Sequence, residues 1–148
     1  MKSNITARVS ETINASTYRV WEALTSPELI RKYFFGTNVH TDWKVGSTIE
    51  FDGEYEGKAY HDKGTILSFK DKELLKFNYW SSVSGIEDKP ENYAIINYKL
   101  KGDYNSTTIT IIQENIPDEK TKQHSVQSWK KVLSSLKEVV EKRETVLH

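Results

Sequence analysis

The stretch Val126-Gln127-Ser128-Trp129-Lys130-Lys131-Val132-Leu133-Ser134-Ser135-Leu136-Lys137-Glu138-Val139-Val140-Glu141-Lys142-Arg143 decides how the chain folds. Val126, Trp129, Val132, Leu133, Leu136, Val139, Val140 and Arg143 recur every three or four residues, and Lys130, Lys131, Lys137, Glu138 and Glu141 fill the opposite side. That spacing gathers the apolar side chains onto one stripe of a long amphipathic helix. One helix cannot bury its own stripe. A large apolar surface must therefore come from the preceding residues.

They supply it as strands. Ile5, Ala7, Val9 and Ile13 alternate with Thr6, Arg8, Ser10 and Thr12, with Glu11 falling on the apolar side. Period-two alternation is the mark of a half-buried strand. Ser16 then reads as a helix cap before Val20, Trp21 and Leu24. Ser26-Pro27-Glu28 reads as a second helix start: a serine side chain to accept a backbone N–H, a proline at the first position and an acid at the positive end. Gly36 and Gly46 bracket an extended piece, Thr37 to Trp43. In Ile49-Glu50-Phe51-Asp52-Gly53-Glu54-Tyr55-Glu56 the four acids fall on one face, and Ile49, Phe51 and Tyr55 on the other. Such a wet face is ordinary for an antiparallel strand. Residues 58 to 69 are extended, with Gly64 as the place where a bulge would reset the inward face.

After a turn at Asp71-Lys72-Glu73, Leu75, Phe77 and Tyr79 alternate with Lys76, Asn78 and Trp80. A polar loop, Ser81 to Asn92, leads to a strand over Tyr93 to Leu100 in which Ile96, Tyr98 and Leu100 share a face. Gly102-Asp103-Tyr104-Asn105 turns the chain into a last strand, Thr107 to Gln113, with Ile109 and Ile111 inward. Short turns between successive strands imply an antiparallel meander. The class is α+β: a sheet, two short early helices and one long C-terminal helix.

Length and composition narrow the rest. With 148 residues the chain fits one domain, 1–148, able to bury its own core. Lys+Arg and Asp+Glu are both 21, so the basic excess of a nucleic-acid binder is missing. There is no cysteine, which excludes disulfides, thiolate metal sites and a cysteine nucleophile. No apolar run is longer than four residues, against the roughly 20 of a membrane span. The first residues lack the apolar core of a secretory signal, so a cytoplasmic location is expected.

Ile13-Asn14-Ala15-Ser16-Thr17-Tyr18-Arg19-Val20-Trp21-Glu22-Ala23-Leu24-Thr25-Ser26-Pro27-Glu28 resembles the opening signature of the homologues of the heat-shock-protein-90 ATPase activator. Ser128-Trp129 through Leu136-Lys137 resembles that family's last helix, with Ser128 where glycine is frequent. Lys32-Tyr33-Phe34-Phe35 stands where the family often has tryptophan. The family belongs to the START-like, SRPBCC superfamily, which includes the birch-pollen allergen and polyketide cyclases. The resemblance implies a helix-grip fold, a curved antiparallel sheet wrapped around the long helix, with a hydrophobic cavity between them.

The expected walls of that cavity are Phe51, Phe77, Tyr79, Ile96, Tyr98, Ile109, Ile111, Trp129, Leu133 and Leu136. The alternative is that the same residues make a filled core. His40, His61, His124 and His148 show no helical metal spacing, so no metal and no cofactor is expected. His61, within Tyr60-His61-Asp62, reads either as a solvated side chain or as a ligand donor or base. No nucleophile elbow or phosphate loop is present, and no catalytic residue is assigned. Three functions remain open: a binding protein for an apolar, aromatic or lipid-like small molecule, a co-chaperone-like partner of a chaperone ATPase, and a cyclase- or aromatase-like enzyme.

Overall fold

A computed structural model describes residues 3–146. His148 and the side chains of Tyr55 and Arg143, read above, lie outside what it describes. The strands are β1 (Ile5–Ile13), β2 (Asn38–His40), β3 (Thr48–Tyr55), β4 (Lys58–Lys70), β5 (Leu74–Tyr79), β6 (Ala94–Gly102) and β7 (Thr107–Ile116). They form one sheet in the order β1-β7-β6-β5-β4-β3-β2, every neighbour antiparallel. Helices α1 (Thr17–Thr25) and α2 (Pro27–Tyr33) follow β1, and α3 (Glu119–Val146) closes the described chain. The sheet curves around α3, as a helix-grip fold requires.

Alternation fixes which side of each strand faces α3. Ala7, Val9 and Ile13 are buried on β1; Ile49 and Phe51 on β3; Leu75 and Phe77 on β5; Ile96, Tyr98 and Leu100 on β6; Ile109 and Ile111 on β7. From α3 come Val132, Leu133, Leu136 and Val140, with Trp129 and Val126 half-buried beside them. Two polar ties fasten the far end of α3 to the end of β1. Lys137 donates to the Thr12 carbonyl at 2.7 Å, and the Asn14 N–H donates to the Glu141 carboxylate at 2.9 Å.

Several local expectations need correction. The long helix begins at Glu119, seven residues before Val126. Asp118 caps it: its carboxylate accepts from the Thr121 N–H at 2.7 Å. Ser16 caps α1 with its side chain, accepting from the Arg19 N–H at 3.2 Å. Ser26 stands at the cap position of α2, but its backbone carbonyl, not its side chain, takes the Leu29 and Ile30 N–H groups. The extended piece after α2 pairs only over Asn38–His40, because Trp43 and Gly46 at φ 59° and 91° turn the chain back. Glu56 sits with Gly57 in the β3–β4 turn, both at positive φ, leaving Glu50, Asp52 and Glu54 on the wet face.

Gly64 is not the bulge. It pairs in register with Ile49, and the irregularity falls between Ile66 and Ser68, where β4 crosses to β5. Gly64 is glycine for a different reason. A Cβ there would lie 1.7 Å from the Asn78 carbonyl oxygen. The backbones of β4 and β5 can approach this closely only without a side chain.

Candidate functional site

Near the N-terminal half of α3 the interior is not filled. A pocket of about 180 Å³ opens there, lined by Phe34, Phe51, Phe77, Tyr79, Ile96, Tyr98, Gln113, His124, Ser125, Ser128 and Trp129. β3, β5 and β6 supply Phe51, Phe77, Tyr79, Ile96 and Tyr98 from their inward positions. Phe34 comes from the end of α2. Phe35 and Gly36, at φ 53° and 74°, reverse the chain there, leaving Phe35 about half exposed while Phe34 packs inward.

The rings meet mostly edge to face. Centroids are 5.7 Å apart for Phe51–Phe77, 5.6 Å for Phe51–Tyr79, 5.6 Å for Phe77–Tyr98 and 6.0 Å for both Tyr98–Trp129 and Phe34–Trp129. Opposite these rings α3 presents the small side chains of Ser125 and Ser128, which do not fill the space between helix and sheet. A second void of about 20 Å³ lies beyond Phe34, Phe51, Phe77 and Tyr98, toward Ile30 and Tyr33. Those four rings partition the two spaces.

The polar groups divide into two sets. Behind the ring of Tyr79 its hydroxyl donates to Asp62, a carboxylate only 5% exposed that also accepts the Ser82 N–H at 3.1 Å. Burial, and then the negative charge of Asp62, push the Tyr79 phenol well above its usual range. Burial pushes Tyr98 up as well. Both phenols therefore stay neutral at ordinary pH. The second set, on the α3 side, is Gln113, His124, Ser125 and Ser128. The Trp129 indole N–H donates to the Gln113 side-chain oxygen at 2.8 Å.

Of the ten residues expected on the walls, the structure brings Phe51, Phe77, Tyr79, Ile96, Tyr98 and Trp129 to the pocket. Ile109, Ile111, Leu133 and Leu136 lie in the packed core, at most 2% exposed, and do not reach its wall. Phe34, Gln113, His124, Ser125 and Ser128 were not read as wall residues. Gln113 had a signal: it is the next inward position after Ile109 and Ile111, and it pairs with Ile96. His124, Ser125 and Ser128 fall within two turns of Trp129 on a helix that starts earlier than its apolar stripe.

His61 is elsewhere. It lies exposed on β4, on the face opposite Phe51, with Nδ1 on the Asp52 carboxylate and Nε2 3.6 Å from Glu50. His40 lies 3.4 Å from Asp52 on the same face. The hydrogen bond to Asp52 raises the His61 pKa. Among the described residues no group of three or more histidines and acids is arranged to hold a metal, and no helix is long and apolar enough to cross a membrane.

A family model described as Activator of Hsp90 ATPase homolog 1-like protein matches residues 14–141. Among solved structures, the chain is similar to ChR145 from Cytophaga hutchinsonii, with 40% identity, 98% of this chain and 99% of that one covered, and a TM-score of 0.82. It is also similar to Aha1 from Colwellia psychrerythraea, solved in solution as a dimer, with 19% identity, 93% and 96% covered, and a TM-score of 0.73. CalU16 from Micromonospora echinospora shares 16% identity, with 98% and 89% covered and a TM-score of 0.70. At such identities the last two speak for the fold alone. No curated protein matches the chain.

Proposed function

The chain belongs to the family of activator-of-Hsp90-ATPase homolog 1-like proteins, and from that premise we propose that it binds a small aromatic molecule in the pocket between the sheet and α3. The observation that carries this reading is the pocket itself: about 180 Å³ walled by six aromatic side chains, in a fold whose other half is closely packed. A cavity of about 150 Å³ lined by apolar side chains is enough to hold benzene. The pocket therefore suits one substituted ring. A polycyclic or lipid-like ligand needs the ring partition to move and join the 20 Å³ void.

Size also sets the affinity. A single aromatic ring buries about 150–250 Å², which at ~25 cal/mol per Å² gives about 4–6 kcal/mol before association costs. A one-ring ligand thus binds weakly, with a dissociation constant near the millimolar range.

The enzyme reading has less support from the wall chemistry. Tyr79 and Tyr98 are held neutral, so they serve as hydroxyls and not as bases. The chaperone reading rests on the family name, whereas the pocket comes from this chain's own residues.

Native mass spectrometry of freshly purified protein tests the proposal, with a co-purifying small molecule as the expected result. A titration of one-ring aromatics, followed through the Trp129 indole N–H resonance, should give saturable shifts in the native protein and none in Ser128→Leu, which fills the pocket from α3. A folded Ser128→Leu protein that binds as well as the native one would overturn it.

A further inference from the structure

The pocket wall contains hydrogen-bond donors that the protein leaves unused. An indole nitrogen can only donate. Trp129 donates to Gln113 at 2.8 Å, so the Gln113 amide must turn its oxygen to Trp129 and leave its NH₂ free. Among the described residues nothing accepts from that NH₂. The hydroxyls of Ser125 and Ser128 likewise have no partner there, nor does that of Tyr98, which is 7% exposed and borders both voids. Buried donors without acceptors are rare, and of these wall donors Tyr98 is buried while Gln113, Ser125 and Ser128 are half-buried, so that water is their partner until a ligand takes its place.

From this we infer that the pocket selects an aromatic ring bearing a neutral carbonyl, an aryl ketone or aldehyde, whose oxygen accepts from Gln113 and Ser128. The inference rests on the pocket being a binding site and names the class of its ligand. A pure hydrocarbon would displace water from these donors and offer nothing in return, whereas a carbonyl oxygen replaces that water. A carboxylate is the poorer fit. No lysine or arginine lines the pocket, and its one histidine, His124, is exposed at the rim, so a carboxylate desolvated against the rings has no buried cation beside it and is costly. The rings of Phe51, Phe77 and Tyr98 then hold the aryl group, and the Trp129 hydrogen bond keeps the amide from flipping.

The test compares acetophenone with α-methylstyrene, in which a CH₂ group replaces the carbonyl oxygen. Both are titrated into the native protein and into Gln113→Glu, which keeps an oxygen for Trp129 and replaces the N–H donors by an acceptor. The variant should weaken acetophenone about tenfold, one hydrogen bond's worth, and leave α-methylstyrene within about twofold. Should Gln113→Glu not fold, Gln113→Met removes the donors at similar length and reads the same contrast. If both ligands change equally, or neither changes, the donor assignment is wrong while the binding reading stands. If neither ligand saturates the native protein, both fall together.

Discussion

Two halves of one helix lie against the same sheet and meet it differently. From Val132 to Val140, α3 offers Val132, Leu133, Leu136 and Val140 to the β1 side of the sheet, all at most 4% exposed. From His124 to Trp129 it offers two serines, a histidine and one ring to the aromatic wall, and a pocket of about 180 Å³ remains. Branched aliphatic side chains adapt to one another and close-pack, while rings held edge to face opposite small serines do not. The difference separates two tasks along a single element: one half holds the fold together, and the other keeps space open.

The largest expected effect tests that division. Leu136→Ala, at a site 1% exposed, should cost about 2–5 kcal/mol in chemical denaturation, and Leu133→Ala a similar amount. Ser128→Ala, in the open half, should change stability by no more than about 0.5 kcal/mol. Trp129 is the sharper comparison. A fully buried tryptophan truncated to alanine costs about 3–5 kcal/mol, but Trp129 is only half-buried at the pocket edge. Trp129→Ala should therefore cost less than Leu136→Ala despite removing a larger side chain. The reverse order would mean that the pocket end carries the fold.

Period-two alternation and the helical stripe made the closed half legible. Ile109, Ile111, Leu133 and Leu136 were correctly read as inward, because inward is a property of one strand or one helix face. Being on a pocket wall is not such a property. It depends on what stands opposite, and the sequence cannot show that Ile109 meets aliphatics while Ile96 meets space. The polar wall was missed for the same reason: Gln113 continues an apolar alternation and so looks like the end of the strand. The Asp62–Tyr79 pair was hidden because an aspartate between a histidine and a lysine reads as solvated, yet its register opposite Phe51 turns it inward.

A middle-sized effect concerns how the open half is held. Asp118 caps α3 nearly two turns before His124 and Ser125, and the Thr121 N–H holds its carboxyl below the usual carboxylate range. A depressed folded-state pKa means that its stabilising contribution is present above the unfolded value and lost as pH falls through the folded one. Asp118→Ala should speed amide exchange at Thr121 and Lys122 several-fold and leave the amides around Leu136 unchanged. Equal loosening of both would show that the two halves of α3 are one cooperative unit.

The smallest effect asks whether the comparison reaches through the sheet. Phe51 faces the pocket, while its neighbours Glu50 and Asp52 face outward with His40 and His61. The Asp52 hydrogen bond, with Glu50 and Asp62 adding to it, raises His61 above its ordinary value near 6.5. A raised folded-state pKa contributes stability that is complete below the unfolded value and disappears as pH rises through the folded one. The ring is exposed, so the gain in stability is slight, but the titration is direct to measure. In Asp52→Asn the His61 ring should titrate closer to 6.5, because the first and largest cause of its shift is gone. Ligand titrations at the Trp129 indole should be unchanged, since the outward face of β3 shares no side chain with the pocket. A native His61 that titrates at or below the ordinary value would remove the ion pair. An Asp52→Asn protein with altered ligand binding would show instead that the acidic face and the aromatic wall act as one.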